Sequence, residues 1–186
     1  SVLALPFIKG LKTRYPNAKV YIFCKEWVSD IYKNHPDIDN IISVQKATLE
    51  SFIGTIKCGL RLRDIKLDYF FTLTDSFRSA LVLRFAGSSK TIGYKSQMRS
   101  FLLSDSRSKS KLTIHRSKKY LGLLTDNEEL NIKPYLHIST SEQKWGLKEM
   151  RKMGIDEPIG LFPFSVSKKR TIPKFAIIKW IHNSKS

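Results

Sequence analysis

The chain is short of cysteines, acids and long apolar runs, and each shortage removes a class of protein. Two cysteines, Cys24 and Cys58, cannot build a disulfide framework, and they lack the C-x-x-C spacing of a redox or zinc motif. A reducing compartment is the default for such a chain. No apolar run approaches the ~20 residues that a membrane-spanning helix needs, so no span is predicted. No charged stretch, apolar core and cleavage site open the sequence, which begins Ser1-Val2-Leu3. Both ends are expected to be cuts within a longer protein. Nucleophile-elbow and P-loop patterns are missing too. His35, His115, His137 and His182 have no mutual metal-ligand spacing, and His115, at a helix start, is only a weak ligand candidate.

The shortage of acids is uneven. Against 33 Lys and Arg stand 16 Asp and Glu, a net charge of +17 over 186 residues. Residues 1–75 carry only +3 of this, residues 76–120 carry +10, residues 121–143 carry −3 and residues 144–186 carry +7. Within 76–120 the one acid is Asp105. Scattered lysines usually mark a solvated face, but a block this one-sided suggests a surface for an anionic partner: phosphate-bearing sugar or lipid, nucleic acid, or an anionic leaflet. With 41% hydrophobic residues the chain can bury a core, so the charge sits on something folded.

Apolar periodicity supplies the layout. Val2 to Tyr15 reads as an amphipathic helix stopped by Pro16, and Ala18 to Cys24 as a strand. A helix over Glu26 to Tyr32, a strand at Ile41 to Val44, and a helix from Ala47 to Arg63 weakened by Gly54 and Gly59 follow. Leu67 to Leu73 is an almost continuous apolar strand, Ser76 to Phe85 a helix ended at Gly87, and Lys90 to Tyr94 another short strand. A Ser- and Arg-rich basic stretch, Lys95 to Lys111, leads to helices at Ile114 to Leu124 and Trp145 to Met153, a strand at Ile159 to Pro163, and a helix from Ile172 with Pro173 in its first turn. Short strands alternating with helices predict an α/β fold, a Rossmann-like parallel sheet with flanking helices. The acidic Asp156-Glu157-Pro158 linker divides a domain of residues 1–153 from the start of a second, 154–186. Trp27, Trp145 and Trp180 are expected in the core.

In such sheets ligands bind at the carboxyl ends of the strands. The segments there form an ordered series: Ser1 to Ala18, then Thr72-Leu73-Thr74-Asp75-Ser76-Phe77-Arg78-Ser79-Ala80 with Arg84-Phe85-Ala86-Gly87. Ile92-Gly93-Tyr94 with Met98-Arg99 and Leu102-Leu103 comes next, and Leu161-Phe162-Pro163 with Arg170-Thr171-Ile172-Pro173 closes it. Each motif is weak alone, but their order and spacing across the whole chain resemble glycosyltransferase family nine, the bacterial lipopolysaccharide heptosyltransferases of GT-B fold, with the heptosyltransferase II branch nearest.

The resemblance implies the N-terminal half of a two-domain GT-B enzyme. Its activity is transfer of heptose from ADP-heptose to the lipopolysaccharide inner core, or a lipid A precursor carrying it, by an inverting mechanism without metal or cofactor. A carboxylate deprotonates the acceptor hydroxyl while cations neutralise the leaving diphosphate. The family's general-base Asp would immediately precede Ser1, and the strand ahead of it would too, so the chain is expected to be an incomplete, inactive piece with an exposed central sheet edge. On the donor side the family's phosphate-facing Lys falls on Arg170, or on Lys169 if the register slips by one. A hydroxyl position falls on Ser165, while Val166 departs from its neighbour. Arg keeps the charge in a planar fork rather than a point. On the acceptor side Arg78, at a helix start after a strand, suits a carboxylate or phosphate, and Lys95, Arg99 and Arg107 in the basic loop suit anionic core sugar or lipid phosphate. The implied location is cytoplasmic, peripheral to the inner membrane. Two other readings of the basic block stay open, a nucleic-acid-binding module and a surface that only docks on an anionic leaflet. Against nucleic acid, the aromatics of 76–120 sit mostly at core-like positions and do not interleave with the cations, so none is expected as partner.

Overall fold

The computed structural model describes residues 2–109, 114–124, 132–156 and 171–183. The chain divides into two compact units, Ser1–Ser139 and Thr140–Ser186. The expected linker at 156–158 and the expected strand at 159–163 fall largely or wholly outside the described residues.

In the first unit a single 3₁₀ turn, Val2–Ala4, leads into helix α1, Leu5–Arg14, with Pro6 in its first turn where a missing N–H costs nothing. Strands β1, Tyr21–Lys25, and β2, Asn40–Val44, pair in parallel. Strands β3, Tyr69–Thr72, β4, Lys90–Tyr94, and β5, Asp105–Arg107, form a second parallel sheet in that order. Helices α2, Lys46–Glu50, and α3, Phe52–Leu62, follow β2; α4, Phe77–Ala86, lies between β3 and β4; and α5, Arg116–Leu121, follows β5. The fold is α/β with parallel sheets and flanking helices.

Common layers cover both sheets. On one side Phe7 and Leu11 of α1 pack against Phe71, Ile92 and Tyr94, while Leu5 and Ile8 of the same helix pack against Ile22, Cys24 and Ile41. On the other, Leu62 of α3 and Val82 and Ala86 of α4 gather Phe23, Ile42 and Phe70 into one cluster. Successive strand residues point to opposite faces, so Phe70 serves one layer and Phe71 the other. A fully buried Leu, Ile, Val or Phe among them contributes about 1.5–3 kcal/mol, and the partly buried ones less. Among the described residues β1 pairs only with β2 and β3 only with β4, leaving one edge of each unpaired.

Several expectations change in detail. The helix expected over 47–63 breaks at Ser51, whose extended backbone caps α3 and whose Oγ accepts from the Gly54 N–H. Gly59 is a packing requirement: a Cβ there would lie 2.6 Å from Phe85 Cβ and 2.7 Å from Val82 O. The 26–32 helix is 3₁₀, with three residues per turn. Tyr32 is buried while Trp27 is exposed, so the 3.6-residue spacing that placed Trp27 in the core does not hold there. The strand β5 within the basic stretch is an addition, and its Asp-Ser-Arg sequence carries no apolar signal.

The second unit contains α6, Thr140–Lys152, and α7, Lys174–Asn183, and neither helix has a buried residue. Trp145 and Trp180 are therefore exposed, contrary to expectation. No helix among the described residues is long and apolar enough to cross a membrane.

Candidate functional site

The carboxyl ends of β3, β4 and β5 converge on a polar constellation. After Thr72 the chain turns through Leu73-Thr74-Asp75-Ser76 into α4. Thr74 Oγ1 donates to Ser79 Oγ at 2.7 Å, and Ser79 Oγ donates to the Ser76 carbonyl at 2.6 Å. The first free N–H of α4, on Phe77, is taken by Gln97 Oε1 at 3.0 Å, so a side chain from the β4 loop caps the helix.

Arg99 organises this end of the sheet. It is wholly buried, and its Nε and Nη2 donate to the Tyr94 carbonyl at 3.1 and 2.9 Å. Its Nη1 donates to the Ser76 carbonyl at 3.0 Å and to Ser79 Oγ at 3.3 Å. One guanidinium thus ties the β4 loop to the start of α4. Burial pushes its pKa down, and Asp75, 3.9 Å away, works in the opposite direction; an arginine stays charged through such shifts. Gly93 makes room for the arrangement, since a Cβ there would stand 2.5 Å from Thr72 Cγ2. The turn that Arg99 closes holds two successive non-glycine residues in the left-handed region, Gln97 at φ +46° and Met98 at φ +54°.

Asp75 gathers the cations. Its Oδ2 lies 3.1 Å from Lys109 Nζ and 3.2 Å from Lys119 Nζ, and Lys119 Nζ sits 5.3 Å from the Tyr94 ring centroid. Burial raises the carboxyl's pKa, but the hydrogen bonds and charges of Lys109 and Lys119 together outweigh it and hold the group below its ordinary value. Three cations around one carboxylate leave a local excess of positive charge at the strand ends, where an anionic group of a ligand would be received.

The residues picked out by sequence separate here. Arg99 is a buried tie between loops rather than a surface cation: its donors go to the Tyr94 and Ser76 carbonyls and to Ser79 Oγ. Arg78 is half-buried with its guanidinium 5.5 Å from the Phe52 ring centroid, and Lys95 is exposed. Arg107 turns inward, donating to the Gly122 carbonyl at 3.0 Å. Ser165, Lys169 and Arg170 lie outside the described residues. His115 Nδ1 is 2.6 Å from Ser117 Oγ, and no group of three or more His, Cys, Asp or Glu among the described residues could hold a metal ion. Sequence reasoning missed Asp75, Lys109 and Lys119. Asp75 could have been found as the acid directly after a strand end, whereas the two lysines look like any others in a basic run.

The family model for "Glycosyltransferase family 9 (heptosyltransferase)" matches residues 55–171, well over half of the chain and all of this constellation. The chain belongs to glycosyltransferase family 9. Curated relatives include lipooligosaccharide heptosyltransferase 2 of Haemophilus influenzae, 25% identical over 150 residues, which span 76% of this chain and 43% of that protein. Lipopolysaccharide heptosyltransferase 2 of Escherichia coli is 32% identical over 100 residues, 53% of this chain and 29% of that protein. The chain thus spans less than half the length of these relatives. Among solved structures, a family 9 glycosyl transferase from Veillonella parvula aligns with a TM-score of 0.83 over 96% of this chain and 54% of its own, at 18% identity. The E. coli ADP-heptose LPS heptosyltransferase II aligns with a TM-score of 0.67 over 83% of this chain and 47% of its own, at 24% identity. At these identities the structural likeness speaks to fold.

Proposed function

We propose that this chain supplies the acceptor-facing part of a heptosyltransferase, residues 1–153, and from residue 154 the opening of its nucleotide-sugar-binding part. The reaction is transfer of heptose from ADP-heptose to the lipopolysaccharide inner core, on the cytoplasmic face of the membrane. The acceptor hydroxyl loses its proton to a carboxylate and attacks the anomeric carbon; the bond from that carbon to the diphosphate oxygen breaks, and ADP leaves with the bonding electrons. This reading gives Arg170 or Lys169, with Ser165, the role of neutralising the charge that develops on the donor diphosphate.

The observation that carries the reading is the cation excess of Asp75, Lys109 and Lys119 at the strand ends of a family 9 chain. Lys109 and Lys119 receive phosphate or carboxylate groups of the acceptor, and Arg78 and Lys95, on the segments after β3 and β4, add further cations to that end of the sheet; Arg99 positions the loop after β4. The names of the relatives support the donor and acceptor classes. Calorimetric titration of the chain with a phosphorylated inner-core oligosaccharide tests it. Saturable binding is expected, weakened about tenfold, or ~1.4 kcal/mol, by Lys119→Ala and by Arg78→Ala. Equal binding by all three proteins, or binding of a random oligonucleotide at physiological salt in its place, contradicts it.

A further inference from the structure

Next to this constellation the protein leaves large apolar side chains in water. Phe52 and Ile53 at the start of α3 are 56% and 67% exposed, and Met98 and Phe101 in the segment after β4 are 89% and 74% exposed. They form one rim. The Arg78 guanidinium lies over the Phe52 ring, the neighbouring Phe77 ring is 6.3 Å from that of Phe101, and the Phe77 N–H is bound by Gln97, next to Met98. Two sheet-end segments far apart in sequence thus bring their apolar residues to either side of the N-terminal turn of α4.

The exposure of Met98 is imposed by the fold. Met98 and Gln97 both occupy the left-handed region, an arrangement that costs on the order of 1–3 kcal/mol per residue and persists only where the surroundings enforce it. The enforcement comes from buried Arg99, which clamps the Tyr94 carbonyl, and from the Gln97 amide on α4. The charge around the rim has one sign. Arg78 lies over Phe52, exposed Lys95 precedes Met98 by three residues, and Lys57 lies one helical turn from Ile53 on α3. Residues 51–63 and 76–104 contain no acid, and the nearby Asp75 is already held by Lys109 and Lys119.

We infer that this rim docks the protein on an anionic lipid bilayer, with Phe52, Ile53, Met98 and Phe101 entering the interfacial layer and Lys57, Arg78 and Lys95 meeting the headgroups. Apolar side chains ringed by cations suit this partner, because burial and attraction to anionic lipid act together. A nucleic acid would use the cations but gain little from isoleucine and methionine. The inference rests on the lipid-linked acceptor of the preceding reading for its biological setting, and on the rim alone for its residues. Docking there would bring the strand ends to the membrane surface where such an acceptor is anchored.

Co-sedimentation with two kinds of vesicle tests it: phosphatidylcholine alone, and phosphatidylcholine with about one third phosphatidylglycerol. The chain is expected to pellet with the anionic vesicles and much less with the neutral ones, and high salt should weaken the association. Met98→Ser/Phe101→Ser should reduce the partition coefficient at least tenfold, and Phe52→Ser/Ile53→Ser should do the same from the other side of the rim. The Met98→Ser/Phe101→Ser variant should bind the soluble oligosaccharide as the parent does, which separates failure of the docking surface from failure of the acceptor site. Equal pelleting with both vesicle types, undiminished pelleting of both double variants, or displacement from the vesicles by stoichiometric oligonucleotide overturns the inference.

Discussion

In the 3₁₀ helix that follows β1 and in α2 after β2, polar side chains pair close by in sequence. Ser29 Oγ donates to the Glu26 carbonyl three residues back, Lys33 pairs with Asp30, and Lys46 pairs with Glu50. At the carboxyl ends of β3, β4 and β5 they reach much further: Gln97 to Phe77 across 20 residues, Arg99 to Ser76 across 23, Lys119 to Asp75 across 44. Local pairs stabilise a loop and ask little of the fold. Long-range pairs hold several loops in one geometry, and a buried arginine among them makes that geometry costly to lose. The second arrangement is the one a binding site requires, and its cation excess says what kind of group it binds.

Mutations that break the long-range side should cost far more than those on the local side. Arg99→Leu removes every bond to the Tyr94 and Ser76 carbonyls and should lower the unfolding free energy by about 3–5 kcal/mol in urea titration, with Arg99→Lys recovering only part. Gly93→Ala forces a methyl against Thr72 and should cost about 1–3 kcal/mol in the same measurement. Asp75→Asn comes third. The Asp75 pKa is held below its unfolded value, so its contribution is complete above the unfolded carboxylate range and is lost as pH falls through the folded-state value. Its side chain is 41% exposed, so solvent screening limits the effect to less than about 1 kcal/mol. The variant should flatten the acid limb of the stability curve between the two pKa values and leave its slope at neutral pH unchanged. Lys33→Ala, on the local side, should stay within about 0.5 kcal/mol of the parent. A cost for Lys33→Ala comparable to that of Arg99→Leu would erase the distinction.

The alternation of short apolar strands with helices was enough to read a parallel α/β layer, because that pattern is local and periodic. Ends and exceptions were not legible for the same reason. Trp27 follows a 3₁₀ repeat that looks helical on paper, and β5 is a strand only because the edge of β4 pairs with it. Arg99 shows the limit most clearly. In sequence it is one more cation in a Ser-rich loop, and nothing local distinguishes it from exposed Lys95. Only the fold, by setting the Tyr94 and Ser76 carbonyls on either side of it, turns it inward. The partnership of Asp75 with Lys109 and Lys119 was hidden likewise, since it joins residues on three separate elements or loops.

The most direct test follows the lysine side chains themselves. Lysine ε-methylene resonances of the chain, assigned by Lys→Arg substitution, are titrated with the phosphorylated inner-core oligosaccharide. Shifts at Lys109 and Lys119 that saturate together, with Lys33 and Lys46 unmoved, are the predicted result. Uniform small shifts of all lysines, or movement of Lys33 and Lys46 while Lys109 and Lys119 stay still, would contradict the assignment of the β3–β5 strand ends as the acceptor site.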